Sequence, residues 1–226
     1  MAEKPLFRFH KLRLLLGWIG GAFLLLTAHT SAQGFRMGIP LVVVGMLVRA
    51  WATGYIPRKS HELTTAGPFA YVRNPLYVGN FLLGLGVVAV VQNVLTAILF
   101  LLGFWILYRG TIHKEEGELA GRFGKSYEKY LAAVPRFVPR LTPYPEKQKN
   151  SYQWKLLWKH RELETLLAVS LVLTGLFLWQ EIVQEGKFEW TEKAGLAVGL
   201  SLIAGLIAER AIRMCQKSKK PKVLTA

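Results

Sequence analysis

Six apolar blocks with basic residues gathered in the gaps, at about residues 14–28, 37–56, 76–91, 94–108, 165–179 and 194–208, restrict this chain to a membrane-embedded helical architecture. A helix rises about 1.5 Å per residue, so some 20 apolar residues cross a hydrocarbon core of about 30 Å. The block 37–56 reaches that length. The others borrow flanking residues or sit in locally thinned bilayer. Only Gln92 and Asn93 separate the third block from the fourth, which predicts a tight helical hairpin. The expected fold is all-α: a polytopic membrane protein of about six transmembrane helices.

The charge pattern orients it. The 226 residues carry a net charge of +15 although 52% of them are apolar, so charge and apolar surface are segregated along the chain. With both termini placed in the cytosol, the cytosolic segments hold 24 Lys and Arg, and the opposite side holds 3, namely Arg36, Lys187 and Lys193. The positive-inside rule favours that topology, in a plasma, inner or endoplasmic reticulum membrane. The basic cytosolic loops and the tail from Lys217 to Ala226 then face anionic lipids, and nucleic acid is not an expected partner. The first block lacks a small-residue cleavage site and is expected to stay as a span rather than leave as a signal peptide.

Composition excludes whole chemistries. All 14 acidic residues are Glu, so mechanisms that require an aspartate are ruled out. Cys215 is the single cysteine, and the five histidines show no metal-binding spacing, so no metal site is expected.

Two cytosolic segments stand out. In the second, Glu115, Leu119, Phe123, Tyr127, Leu131 and Val134 recur at helical spacing and predict one face of one helix. Glu115 lies in line with that apolar stripe, whereas Glu116 and Glu118 are expected to be solvated. An inward carboxylate requires a cation or several donors. Arg73, Arg109 or His113 would supply a salt bridge; the other reading is a site for a cationic or polyhydroxyl ligand. In the first segment, Gly67-Pro68-Phe69 leads to Arg73-Asn74-Pro75-Leu76-Tyr77-Val78-Gly79. Pro75 suits a first helical turn and Asn74 an N-cap. On spacing alone this is a helix entry, and Gly84 and Gly86 allow a neighbour to approach the same helix closely.

The order His61-x-Leu63-Thr64, Gly67-Pro68-Phe69-x-Tyr71-x-Arg73-Asn74-Pro75-x-Tyr77-x-Gly79, Glu115-Glu116-x-x-Leu119, Phe123-Gly124-x-x-Tyr127-x-x-Tyr130 and Val134-Pro135-Arg136-Phe137-x-Pro139 resembles the isoprenylcysteine carboxyl methyltransferase and phospholipid methyltransferase superfamily over roughly residues 37–140. The resemblance implies an integral membrane methyltransferase using S-adenosyl-L-methionine on a lipophilic acceptor drawn from the bilayer, either an isoprenylcysteine-like carboxylate or a lipid amine. It implies a cytosolic cofactor pocket enclosed by His61, Glu62, Leu63, Thr64, Phe69, Asn74, Pro75, Leu76, Tyr77 and Glu115. Tyr77 is expected at the reacting end, with Arg73 or Arg109 orienting the acceptor. Asn74 stands where the family usually has His, and it carries no proton at neutral pH. Thr111 stands where the prenylcysteine enzymes have an Arg, and Arg109 is two residues away.

The expected organisation is a first helix and outer loop over 1–36, a methyltransferase core over 37–140, and a C-terminal helix pair with basic tail over 141–226. Arg49, eight residues before Pro57, is expected to snorkel or pair within the bundle. Trp154, Lys155, Trp158 and Lys159 read as an interfacial anchor, and Glu209 with Arg213 as a helix pair. Two alternatives stay open. One is an NADPH-dependent sterol-reductase-like membrane enzyme, a class that lacks the Glu pair. The other is a non-catalytic membrane module retaining the fold.

Overall fold

In the computed structural model, the described residues are 23–24, 26–56, 63–148, 150–159 and 162–184, with Gly20 and Gly199. Most of the first and sixth apolar blocks, and His61, Glu62, Glu209, Arg213 and Cys215, lie outside them. The described residues are helical and irregular, without strands. The helices are α1 (Ala32–Thr53), α2 (Pro75–Val91), α3 (Val94–Phe123), α4 (Lys125–Ala133), α5 (Lys155–Lys159) and α6 (Glu162–Trp179), the last running into a π-helical turn at Gln180–Gln184. Three are long and apolar enough to span a membrane: α1, α3 and α6 with its extension to Ile182. The 17-residue α2 is apolar but shorter.

Small residues bring α1 and α2 together. A Cβ on Gly45 would lie 2.9 Å from the Gly79 carbonyl oxygen, and one on Gly34 would lie 2.9 Å from that of Val90. Gly38 and Gly86 meet between these two points. Their order, ascending on one helix and descending on the other, makes the pair antiparallel, with the backbone contact that small residues permit in membranes. The hairpin turn follows directly. Gln92 adopts the left-handed conformation at φ 52°, and the Asn93 carboxamide oxygen accepts from Thr96 N–H at 3.0 Å, capping α3. Gly84 leaves room for the Phe100 ring. Below it, Phe81, Phe104, Tyr108 and Tyr77 pack in sequence at centroid distances of 5.0, 4.1 and 4.9 Å. The outer side of α3 exposes Leu95, Ile98, Leu102, Trp105 and Ile106, a surface suited to lipid.

At 30 residues α3 is about 45 Å long and so extends well beyond a bilayer core. The expected single helix through Val134 does not form. Gly124, at φ +50°, ends α3, and α4 starts anew, so the stripe from Glu115 to Val134 is divided between two helices. The break lets Tyr127, Tyr130 and Val134 turn back against Ala70 and Tyr144 as one small core.

Candidate functional site

The segment after α4 closes onto the loop before α2. Arg73 N–H donates to Pro135 O at 2.9 Å, Arg140 N–H to Tyr71 O at 3.0 Å, and Tyr144 N–H to Ala70 O at 2.8 Å. The Tyr130 hydroxyl donates to Phe69 O at 2.7 Å. These bonds satisfy the polar backbone of an irregular region that no helix ladder supports. They also fix one wall of a cavity of about 750 Å³, bounded otherwise by the end of α1, the first turns of α2 and the C-terminal third of α3. Small-molecule sites run from roughly 300 to 1,000 Å³.

Eight of the ten residues expected to enclose a cofactor are described, and all eight line this cavity: Leu63, Thr64, Phe69, Asn74, Pro75, Leu76, Tyr77 and Glu115. The other two, His61 and Glu62, lie outside the described residues. Of the residues expected to act on the acceptor, Tyr77 and Arg73 line the cavity as well. Arg109 does not; it is exposed on α3, away from the lining. Thr111 donates to Leu107 O at 2.9 Å within its own helix. Arg49, Asn80, Arg122, Tyr127 and Tyr130 are lining residues that motif reading did not assign to the site. Asn80 follows Tyr77 by three positions, and that helical spacing was a usable signal.

The two carboxylates of the Glu pair exchange their expected roles. Glu116 is the buried one, with 9% of its side chain exposed, and it holds two arginines: Arg136 on both carboxylate oxygens, Nε to Oε1 at 3.1 Å and Nη2 to Oε2 at 2.5 Å, and Arg73 Nη2 at 3.5 Å. Arg136 arrives from the returning segment, which is why Glu116 faces inward. Glu115 is exposed by area yet sits on the cavity rim, where it accepts the Tyr77 hydroxyl at 2.6 Å. Asn74 heads α2 without a side-chain cap; its Nδ2 instead donates to Arg136 O at 3.2 Å.

The cavity lining carries charges of both signs. Arg73 is nine-tenths buried, and its Nε and Nη1 make no hydrogen bond among the described residues. Two guanidinium nitrogens sealed from solvent without an acceptor are a costly arrangement. Glu115 lines the same cavity. Burial pushes the phenols of Tyr127 and Tyr130 above the ordinary tyrosine range. The charge of Glu116 adds to the rise at Tyr127, against the opposing effect of Arg73 and Arg136. Both phenols therefore stay neutral as hydrogen-bonding and stacking surfaces. Among the described residues, no three His, Cys or acidic side chains gather as a metal-binding group.

Arg49 is paired within the bundle, as expected. Its Nε and Nη2 contact Glu162 of α6 at 3.0 and 2.9 Å, and its Nη1 donates to Asn80 Oδ1.

Residues 26–121 match the isoprenylcysteine carboxyl methyltransferase family. The chain is 34% identical over 126 residues to a nickel-cobalt-cadmium resistance protein from Alcaligenes xylosoxydans xylosoxydans, covering 52% of this chain and 59% of that one. It is 36% identical over 122 residues to the protein-S-isoprenylcysteine O-methyltransferase of Schizosaccharomyces pombe, covering 52% of each. To the human protein of that name it is 32% identical over 80 residues, covering 35% of this chain and 28% of the relative. The chain thus spans little more than half the length of the first two relatives. No solved structure matches.

Proposed function

We propose that the protein is an integral membrane methyltransferase of the isoprenylcysteine carboxyl methyltransferase-like superfamily that uses S-adenosyl-L-methionine on a lipophilic, isoprenylcysteine-like acceptor; the match of residues 26–121 to that family and the similarity to its named relatives support the reading. The observation that carries this reading is the convergence, on one cavity of about 750 Å³, of a rim carboxylate, a hydroxyl that orients it, the arginines Arg49 and Arg73, and a set of aromatic faces.

When bound, S-adenosyl-L-methionine supplies a methyl group activated by a sulfonium, so transfer depends on alignment and dryness more than on acid–base help. The chain's residues provide both. Glu115, oriented by Tyr77, suits the ammonium or the ribose diol. Phe69, Tyr127 and Tyr130 offer faces for the adenine or the cation. Arg73, paired with Glu116, adds positive charge to the cavity wall. Asn74 carries no ionisable proton at neutral pH and acts here by holding the Arg136 carbonyl. The lipid-facing surface of α3 beside the cavity supports delivery of an acceptor from the bilayer.

The test is transfer of labelled methyl from S-adenosyl-L-methionine into a total lipid extract and into an N-acyl S-farnesylcysteine, with the labelled products identified. Label in the prenylcysteine as a base-labile methyl ester is the expected result. Reduction of a sterol with NADPH, and no methyl transfer, would overturn the proposal.

A further inference from the structure

A charged cluster reaches the inner end of the cavity from a helix beyond the family-matched segment. Arg49 sits near the end of α1, and Glu162 opens α6. Their side chains are 13% and 6% exposed. An arginine at such a depth ordinarily extends toward the interface to keep its charge hydrated. Here the Glu162 carboxylate takes Nε and Nη2 together, a bidentate grip that fixes the guanidinium plane. Thr53 Oγ1 donates to Glu162 Oε1 at 2.9 Å, so the carboxylate is itself anchored, and Arg49 Nη2 also donates to Thr165 Oγ1 at 3.4 Å.

The donor inventory leaves something over. Guanidinium has five N–H donors. Glu162 uses two, Thr165 a third and Asn80 a fourth. The remaining Nη1 hydrogen has no partner among the described residues, and Arg49 lines the cavity. Its neighbour Asn80 is three residues, or about 4.5 Å of helix, further along α2 than Tyr77. The Arg49–Asn80 end is therefore the deeper one, and Tyr77–Glu115 marks the rim.

On the methyltransferase reading above, we infer that Arg49, held by Glu162, receives the anionic oxygen of the acceptor at the inner end of the cavity, and that Glu162 is its positioning residue. An acceptor whose tail stays in the bilayer meets this end first, while the donor occupies the rim. The bond formed is O–CH₃ and the bond broken is the sulfonium S–CH₃, whose electron pair remains on sulfur. No proton moves, and the oxygen loses its charge. The guanidinium grip weakens once the ester forms, which favours product release.

The test uses the full-length protein with three variants, Arg49→Lys, Glu162→Gln and Thr165→Val. N-acyl S-farnesylcysteine and phosphatidylethanolamine vesicles are the acceptors, and S-adenosyl-L-methionine binding is measured separately. Arg49→Lys and Glu162→Gln are expected to raise the KM for the carboxylate acceptor at least tenfold, with donor affinity within twofold of the parent. Thr165→Val, which removes one long contact, should shift it less than threefold. Variants that lose thermal stability but keep the acceptor KM would show that the pair only ties α6 to α1, and would overturn the inference. So would a parent that methylates the amine and not the carboxylate, an outcome that leaves the methyltransferase reading intact. A parent that binds no donor overturns both.

Discussion

The Tyr77 hydroxyl donates to Glu115 Oε1 at 2.6 Å, joining the first turn of α2 to a point on α3 some seven residues past Tyr108, whose ring also packs against that of Tyr77 at 4.9 Å. One tyrosine thus fixes both the direction of a carboxylate and the spacing of the hairpin at its open end. A carboxylate held this way faces the cavity with its second oxygen available to a cationic ligand.

Tyr77→Phe keeps the ring contact and removes the hydroxyl. The bond is solvent-exposed, so its loss should lower the melting temperature only slightly, while a Glu115 carboxylate no longer held in place should bind the donor roughly tenfold more weakly. A melting curve measures the first and titration calorimetry in detergent the second. Unchanged affinity would show that the hydroxyl serves packing only.

Glu116 behaves as a buried ion-pair partner of Arg73 and Arg136. Removing one member of such a group typically costs about 3–5 kcal/mol. Arg136 is 47% exposed and screened by solvent, so about 2–3 kcal/mol is expected for Glu116→Ala. Glu115→Ala should cost less than about 1 kcal/mol. Denaturation midpoints for the two variants should therefore separate, and the reverse order would contradict the assignment of the buried carboxylate.

Gly38→Ala places a methyl against the Gly86 carbonyl and the Val90 side chain, and it should destabilise the α1–α2 contact by roughly 2 kcal/mol or more through overpacking. Gly103 has open space at its Cβ. Gly103→Ala should be neutral or stabilising by up to about 1 kcal/mol, the helix-propensity difference. Paired melting curves check this. Equal effects at both positions would mean that the helices do not touch at their glycines.

The buried phenols predict a pH dependence. Below the ordinary tyrosine pKa of about 10, folded and unfolded chains both keep their phenolic protons. Above it the unfolded chain releases them while Tyr127 and Tyr130 hold theirs. The folded state then loses stability as pH rises. Melting temperatures measured from about pH 8 to 11 should fall past pH 10, and Tyr130→Phe should flatten that slope although it starts from a lower value, having lost the bond to Phe69 O.

Much of this site was legible in the chain because helical entry motifs and apolar blocks are local. Gln92-Asn93 announced the hairpin, and Phe69, Pro75 and Tyr77 fell on the cavity wall. The register of the Glu pair was not local. Which carboxylate turns inward is decided by Arg136, 20 residues further on, and its return depends on the break at Gly124. An unbroken 3.6-residue period hid that break, and three neighbouring glycines at 117, 121 and 124 offered no means of choosing among them. Asn74 likewise read as a cap until the loop 134–140 claimed its carboxamide. The pairing of Arg49 was foreseeable, but its partner on α6 was not, since no spacing links residues 113 positions apart.

The most direct test is the affinity of the purified, full-length protein for S-adenosyl-L-methionine beside that of Glu115→Gln, which keeps the size of the side chain and removes its charge. Saturable binding by the parent and at least a tenfold loss in the variant, with both equally folded by melting temperature, is the predicted result. Equal affinity in the two, or no binding by the parent, would contradict the account.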